Sequence, residues 1–297
     1  MKKIFIANLA FATACAASAG PPAAVSGGAA PRLATSPAVA IGSVITSFRM
    51  STIAEPFALG IYRDPAYVYG VMYTAGTDYL YRFNTGGARV GSFALSGTSR
   101  PRDADRAHLG SGYLSVVDAD NKRLYVFRTT GGSAVTSFTV AGAPSPLNCF
   151  WDGVYYYVNG SSDAGRFHRY TAAGAAAGAW TCAGWPAAMT TAGGAAFAHR
   201  GNNSKGPYLV ACSWTANQPM CMTTFPAGSL VRTWAVPPNN GNGLVYGDSS
   251  NPGVYGAAVW GNWYTAAGMY AMEFDIEARG GSTVVPTSLG KVKSLYR

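Results

Sequence analysis

One short phrase returns five times along the chain and constrains the fold more than any other feature. The copies are Gly42–Phe48 (GSVITSF), Ala88–Phe93 (ARVGSF), Ser133–Phe138 (SAVTSF), Ala175–Trp180 (AAAGAW) and Ser229–Trp234 (SLVRTW). Each reads as a strand ending on an aromatic residue. Successive copies end 45, 45, 42 and 54 residues apart. In the first three complete units the phrase follows an aromatic strand and a glycine turn: Tyr79–Phe83 before Gly86-Gly87, Leu124–Phe127 before Gly131-Gly132, and Phe167–Tyr170 before Gly174. Another strand precedes each of these, at Tyr67–Tyr73, Tyr113–Val117 and Val154–Val158, and turn-forming residues link the two. The fourth unit shows Tyr208–Cys212 and Met220–Phe225, and the fifth Val254–Val259 and Met269–Phe274.

A four-stranded antiparallel unit repeated at this period is what a propeller blade requires. Composition agrees. Only 12% of the 297 residues are charged, while Gly (37) and Tyr (18) are frequent, which suits short strands and tight turns rather than amphipathic helices. The first phrase has no strands of its own before it, and the last unit ends near Glu277 with no phrase after it. The N-terminal strand is therefore expected to complete the last blade, giving an all-β, five-bladed β-propeller over residues 42–284. The alternatives are a six-bladed ring, an open solenoid or a two-sheet sandwich. Six blades would need another three-stranded set, and residues 20–41 are too short and too rich in Ala, Pro and Gly to supply it; they read as a flexible leader.

The repeat resembles an uncharacterised family of secreted bacterial propeller proteins. The resemblance is carried by Gly42–Phe48, Gly76–Asn84, Ser133–Phe138 and Phe150-Trp151-Asp152-Gly153, and the tail Val285–Arg297 is similar to the end of such chains. The second, fourth and fifth units lack the Trp-Asp-Gly turn. The resemblance implies a fold and names no ligand.

The N-terminus reads as a secretory signal. Met1-Lys2-Lys3 is a positive n-region, Ile4–Ala14 an apolar stretch too short to span a bilayer, and Ala17-Ser18-Ala19 a small-residue cleavage site. No later stretch suits a membrane helix, so a secreted protein at the cell surface, outside the cell or in the periplasm is expected. Four cysteines remain after the signal: Cys149, Cys182, Cys212 and Cys221. An even count in an oxidising compartment suggests disulfides. Cys212 and Cys221 lie on two strands of one expected hairpin, and Cys149 and Cys182 begin corresponding parts of neighbouring units, so those two bridges are expected. The net charge of +9 comes from scattered residues with no basic run, which argues against a nucleic-acid partner.

Chemistry is much harder to find. Trp151-Asp152-Gly153 reads as the end of an innermost strand followed by a tight turn. Asp118–Asn121 fails as a calcium loop, because Arg123 and Thr129 stand where Gly and Glu are needed. His108, His168 and His199 lie in different units without metal-ligand spacing, so no metal or other cofactor is expected. Glu55, Asp64, Asp103, Asp105 and Glu273 are loose candidates for a glycosidase pair. The better lead is aromatic: Trp185, Trp214, Trp260 and Trp263, with Asn202-Asn203 and Asn239–Asn242, suit the faces and hydroxyls of a carbohydrate, the alternative for the tryptophans being blade-to-blade packing. The expectation is a non-enzymatic binding or structural protein with a protein or glycan partner. The rivals are a hydrolase acting on a polysaccharide or lactone, and a subunit of a surface layer or filament. The C-terminal tail, 285–297, with Lys291, Lys293 and Arg297 among apolar residues, reads as a closing strand or a disordered end, with a sorting or anchoring signal at the cell surface as the alternative.

The signal reading has a direct check. Mass spectrometry of the exported protein is expected to find Gly20 as its first residue; exported protein that retains residues 1–19 contradicts it.

Overall fold

In a computed structural model the described residues are 44–52, 57–198, 206–213, 219–234, 241–248, 257–265 and 268–276. All fall within one compact unit, Ser36–Arg297. The signal (1–19), the leader (20–41) and the tail (285–297) lie outside them, as do Glu55, His199, Asn202, Asn203, Trp214, Asn239 and Asn240.

The described residues form a five-bladed β-propeller. Strand β1 (Val44–Ser51) stands apart in sequence from its sheet. Blade 1 holds β2 (Phe57–Arg63), β3 (Val68–Tyr73), β4 (Asp78–Phe83) and β5 (Arg89–Ser96). Blade 2 holds β6 (Pro101–Arg106), β7 (Tyr113–Asp118) and β8 (Arg123–Arg128); the short β9 (Gly132–Ser133) leaves it to pair in parallel with β5, and β10 (Thr136–Thr139) completes it. Blade 3 is β11 (Pro146–Trp151), β12 (Tyr156–Gly160), β13 (Arg166–Tyr170) and β14 (Ala176–Thr181). Blade 4 is β15 (Ala192–Ala198), β16 (Tyr208–Ser213), β17 (Met220–Thr224) and β18 (Leu230–Trp234). Blade 5 is β19 (Gly241–Asp248), β20 (Ala257–Thr265) and β21 (Gly268–Asp275), with β1 as its outer strand, Phe48 opposite Ala271. The orphan first phrase thus closes the ring, as its position in the sequence led us to expect.

Burial follows radius. Each blade is covered by a neighbour on both faces, so the inner and middle strands are buried along nearly their whole length, as in β12, β16 and β21. The outer strands β5, β14 and β18 are mostly exposed. This is why the inner strands read as continuous apolar runs rather than alternating ones. The Trp-Asp-Gly turn is local, as expected: Asp152 Oδ1 accepts the N–H groups of Val154 and Tyr155, both at 2.7 Å. Asp64 does the same for Ala66 and Tyr67 in blade 1.

The structure also explains the repeated phrase. Its aromatic residue lies on the next blade, over the glycine that ends the hairpin turn there. Phe48 covers Gly87, Phe93 covers Gly131 and Phe138 covers Gly174. These glycines have φ of +83°, +70° and +84°, and each N–H closes a turn onto the carbonyl three residues earlier, at Asn84, Arg128 and Thr171. A Cβ at Gly87 or Gly131 would fall 2.5 Å from the aromatic Cβ above it. The position therefore requires glycine twice, for its backbone conformation and for the ring that lies on it. The fourth copy departs: Trp180 instead donates its indole N–H to Pro226 O at 2.7 Å and packs on Phe225.

Gly131→Ala combines a left-handed backbone with a clash against Phe93 and Ala94 O, and is expected to cost about 2–3 kcal/mol. Gly76 has open space around it, so Gly76→Ala is expected to leave thermal melting almost unchanged. Equal melting of the two variants would refute the aromatic-on-glycine account.

Candidate functional site: the axis and its mouth

An innermost strand has a sheet partner on one edge only. Its other edge turns its N–H and C=O groups toward the axis of the ring, where they must be satisfied if water is excluded. All five innermost strands share one irregularity, which aligns them. The pairing shifts register between Ala58 and Gly60, Pro101 and Asp103, Pro146 and Asn148, Ala192 and Gly194, and Gly241 and Gly243. The second member of each pair is therefore the same structural position in five blades, and its occupants are Gly60, Asp103, Asn148, Gly194 and Gly243.

At this level the chains nearly touch. A Cβ at Gly60 would lie 2.8 Å from Asp103 Cα, one at Gly194 2.6 Å from the Gly243 carbonyl carbon, and one at Gly243 2.8 Å from Asp103 Oδ1. The space these glycines leave is taken by the Asp103 carboxyl group. It accepts the N–H of Ala104 at 2.9 Å, that of Cys149 at 3.4 Å and that of Ala195. These donors are the next residue along in blades 2, 3 and 4. Two residues after Asp103, Asp105 repeats the device and accepts the N–H of Trp151 at 2.8 Å and of Arg106. Both acids are sealed, at 0% and 1% exposure. Burial, more than any other influence, pushes the Asp103 carboxyl well above the usual carboxylate range and that of Asp105 up to about 6. Amides tie other blades: Asn262 Nδ2 donates to Ala58 O at 2.6 Å, and Asn148 Nδ2 to Ala192 O at 3.5 Å.

Three residues beyond the glycine and aspartate layer, at or near the ends of the innermost strands, the side-chain types change to Arg63, Arg106, Trp151, Phe197 and Tyr246. A cavity of about 250 Å³ opens here, lined by Tyr62, Arg63, Asp64, Arg106, Ser111 and Tyr246. Arg63 is held by Nη1 to Tyr67 O at 3.1 Å and Nη2 to Pro65 O at 3.3 Å, and lies over the Trp260 ring, 5.7 Å from its centroid. Arg106 reaches across the ring to Phe197 O at 3.3 Å, with its guanidinium 5.8 Å from the Tyr246 centroid. Asp64 turns away into its own turn, and its second oxygen accepts the Tyr69 hydroxyl at 2.7 Å. Burial and the nearby Asp105 and Asp64 push the Tyr62 phenol up to about 12, so it stays a neutral donor.

The remaining sequence candidates are scattered. Trp260 and Trp263 are fully buried, Trp260 between blades 5 and 1 near Phe48 and Trp263 against Phe274. Neither offers a face to a ligand, which corrects the expectation of a platform there. Trp185 is half-buried, packs on Phe167 and donates its indole N–H to Met189 O. The expected disulfides do not form either: Cys149, Cys182, Cys212 and Cys221 are free and buried. In the β16–β17 hairpin Cys221 stands opposite Ala211, and that one-residue offset turns Cys212 to the other face of the sheet. Cys149 neighbours Ser115 in blade 2, whereas Cys182 neighbours Thr223 in blade 4, so blade 3 stands between them. Burial pushes the Cys149 and Cys212 thiols well above their usual range. His108 bonds to the Tyr156 hydroxyl and His168 faces Asp163; Glu273 is buried. Among the described residues no group of His, Cys, Asp and Glu is arranged to hold a metal ion, and no helix is long and apolar enough to cross a membrane.

Comparison with known proteins places the fold. No family model matches the chain, and no curated protein matches it in sequence. Among solved structures, a glutaminyl cyclase from Myxococcus xanthus superposes with a TM-score of 0.56 at 10% identity, covering 78% of this chain and 94% of that one. A chain of a nidogen/laminin complex gives 0.48 at 14% identity over 72% and 75%. The hydrazine synthase of Kuenenia stuttgartiensis gives 0.44 at 14% over 72% and 58%. At such identity the first of these likenesses is one of fold alone.

The buried acids predict an unusual pH dependence. A carboxyl whose pKa is higher folded than unfolded binds its proton more tightly in the folded state. Asp105 therefore costs nothing below pH 4 and its full penalty above pH 6, of order 3 kcal/mol for a rise from 3.8 to about 6. Between pH 4 and 7 the stability of Asp105→Asn in urea is expected to fall less steeply than that of the wild type. Parallel curves would show that Asp105 is ionised at no such cost.

Proposed function

We propose that the protein is a non-enzymatic binding scaffold working outside the cytoplasm, with the mouth of its axis as the docking place for a glycan or protein partner. One observation carries this reading: among the described residues the two acids nearest the axis, Asp103 and Asp105, are closed within the ring, while the open end presents guanidinium and phenol groups. Asp103 and Asp105 are closed to solvent and bonded to backbone N–H groups. A glycosidase pair needs a sugar and a water between its carboxyl groups, and the glycine layer leaves no such room. Export is supported by the charged, apolar and small-residue segments of the N-terminus, and by the resemblance of the repeats to secreted bacterial propellers.

The similar fold of a glutaminyl cyclase supplies the competing idea, an enzyme on this scaffold. Screening the exported protein against glycan and peptide arrays, with product analysis of every ligand that binds, separates the two. Saturable binding with the ligand recovered intact is expected. Product formation from a polysaccharide, lactone or peptide that disappears in Asp105→Asn would overturn the binding reading.

A further inference from the structure

Blade 3 departs from blade 2 at one cluster of outer positions, and strand register aligns the two residue by residue. In blade 2, Arg123 stands opposite Thr139 and Tyr125 opposite Ser137. In blade 3, Arg166 stands opposite Thr181 and His168 opposite Ala179. The blade 2 cluster is filled and bonded. Arg123 donates to Ser137 Oγ at 2.7 Å and to Thr139 Oγ1 at 3.3 Å, and the Tyr125 hydroxyl donates to Gly97 O at 2.9 Å. In blade 3 three of these side chains shrink. Tyrosine gives way to His168 and serine to Ala179, and two places before the aromatic of the phrase Gly178 stands where blade 2 has Thr136.

A cavity of about 360 Å³ opens there, at the outer boundary of blades 2 and 3, within the size range of small-ligand sites. Blade 2 and the chain leaving it contribute Thr139, Ala141 and Gly142; blade 3 contributes Arg166, His168 and Ala179. The imidazole of His168 lies against Gly142, where an added Cβ would fall 2.7 Å from Nδ1. Thr139, Arg166 and Ala179 are exposed, so a ligand can reach them. Arg166 has lost the acceptor that Ser137 offers Arg123, and its side chain makes no hydrogen bond among the described residues.

Charge does not select the ligand. Asp163 faces His168 Nε2 at 3.4 Å and accepts the Gly160 N–H at 2.8 Å, and Arg169 lies over the Tyr155 ring. An anion drawn to Arg166 would meet Asp163 as well. Hydrogen bonding selects it instead. What the neighbouring blade supplies to this guanidinium is an alcohol oxygen. The Thr139 hydroxyl accepts from Arg123 and still has a proton to donate. Gly178 and the methyl groups of Ala176 and Ala179 line the cavity and suit C–H groups. Several hydroxyls on a compact, uncharged, C–H-bearing ring describe a sugar.

We infer that this lateral cavity is a subsite for one neutral hexose ring of a glycan. One sugar hydroxyl takes on Arg166 the place that Ser137 takes on Arg123, a second accepts from Thr139, and the C–H groups of the ring lie on Ala176, Gly178 and Ala179. The subsite is separate from the axial mouth, and neither depends on the other.

The test is calorimetric titration of the exported protein with short neutral oligomers of glucose, galactose and mannose, and with a short oligogalacturonate as the acidic counterpart. At least one neutral oligomer is expected to bind saturably, and at least about tenfold more tightly than the oligogalacturonate. Ala179→Ser, which returns to Arg166 the acceptor found in blade 2, is expected to weaken that binding several-fold, and Arg166→Gln to do the same. Both positions are exposed, so melting is expected to stay unchanged. His168→Tyr restores the blade 2 ring and is expected to abolish binding; if it fails to fold, the two exposed variants carry the test. Failure of every neutral oligomer to bind overturns the subsite. Binding untouched by both Ala179→Ser and Arg166→Gln also overturns it, and leaves the scaffold reading with its axial mouth intact. Oligogalacturonate binding as tightly as the neutral oligomer overturns the neutral assignment. Cleavage of a bound oligomer overturns the non-enzymatic reading, while loss of binding in Ala179→Ser still upholds the subsite.

Discussion

The Asp103 carboxyl group is the interaction around which the ring is arranged. Five strand edges converge on the axis, and N–H groups on an edge without a strand partner need another acceptor. One acceptor with two oxygens collects donors from three blades at once, including Ala195, which lies two blades away from Asp103. That reach is possible only because Gly60, Gly194 and Gly243 occupy the equivalent positions of three other blades. A side chain at any of them would push the strands apart and break the bonds to the carboxyl group. The penalty for burying the acid appears as its raised pKa, and the ring tolerates it because unsatisfied edge donors would cost about 1–3 kcal/mol each.

A second constraint acts at the periphery and is independent of the first. In three of the blades the outer-strand aromatic lies on the glycine turn of the next blade, so the spacing there is set at two radii, by hydrogen bonds near the axis and by ring-on-backbone packing further out. The three interfaces that use this pairing join copies spaced 45, 45 and 42 residues apart. Where the spacing lengthens to 54, the pairing changes as well. Trp180 reaches for Pro226 instead, and Gly228 in the next turn meets Cys182 and Ala183 rather than an aromatic ring.

These two constraints explain what the sequence could and could not disclose. The peripheral contact is the same local problem solved again in successive blades, so it repeats in sequence as a phrase and a glycine turn, and the unpaired first phrase gave away the closing strand. The axial contact occurs once. Asp103 and Asp105 sit in Pro-Arg-Asp-Ala-Asp-Arg, which reads like a polar loop, and their partners Cys149 and Trp151 are 46 residues further along. Only the shared register shift reveals that Gly60, Asp103 and Asn148 are one position. The tryptophans failed for a related reason: an indole suits a ligand platform and a core equally well, and strand register alone buried Trp260 and Trp263. The cysteines were misjudged by a single residue of register, enough to send Cys212 and Cys221 to opposite faces.

Closure of the axis in turn limits where function can reside. With the glycine and aspartate layer sealed, the ring is no channel at that level, and a ligand entering along the axis meets only the residues at the strand ends. The change of side-chain type there follows from the same geometry. Below the mouth, where edges crowd together, small residues and acceptors are needed; at the mouth the strands diverge into turns, and long donors such as Arg63 and Arg106 satisfy the carbonyls of Tyr67, Pro65 and Phe197. Holding the turns in place is therefore the structural duty of these two arginines at this end of the ring.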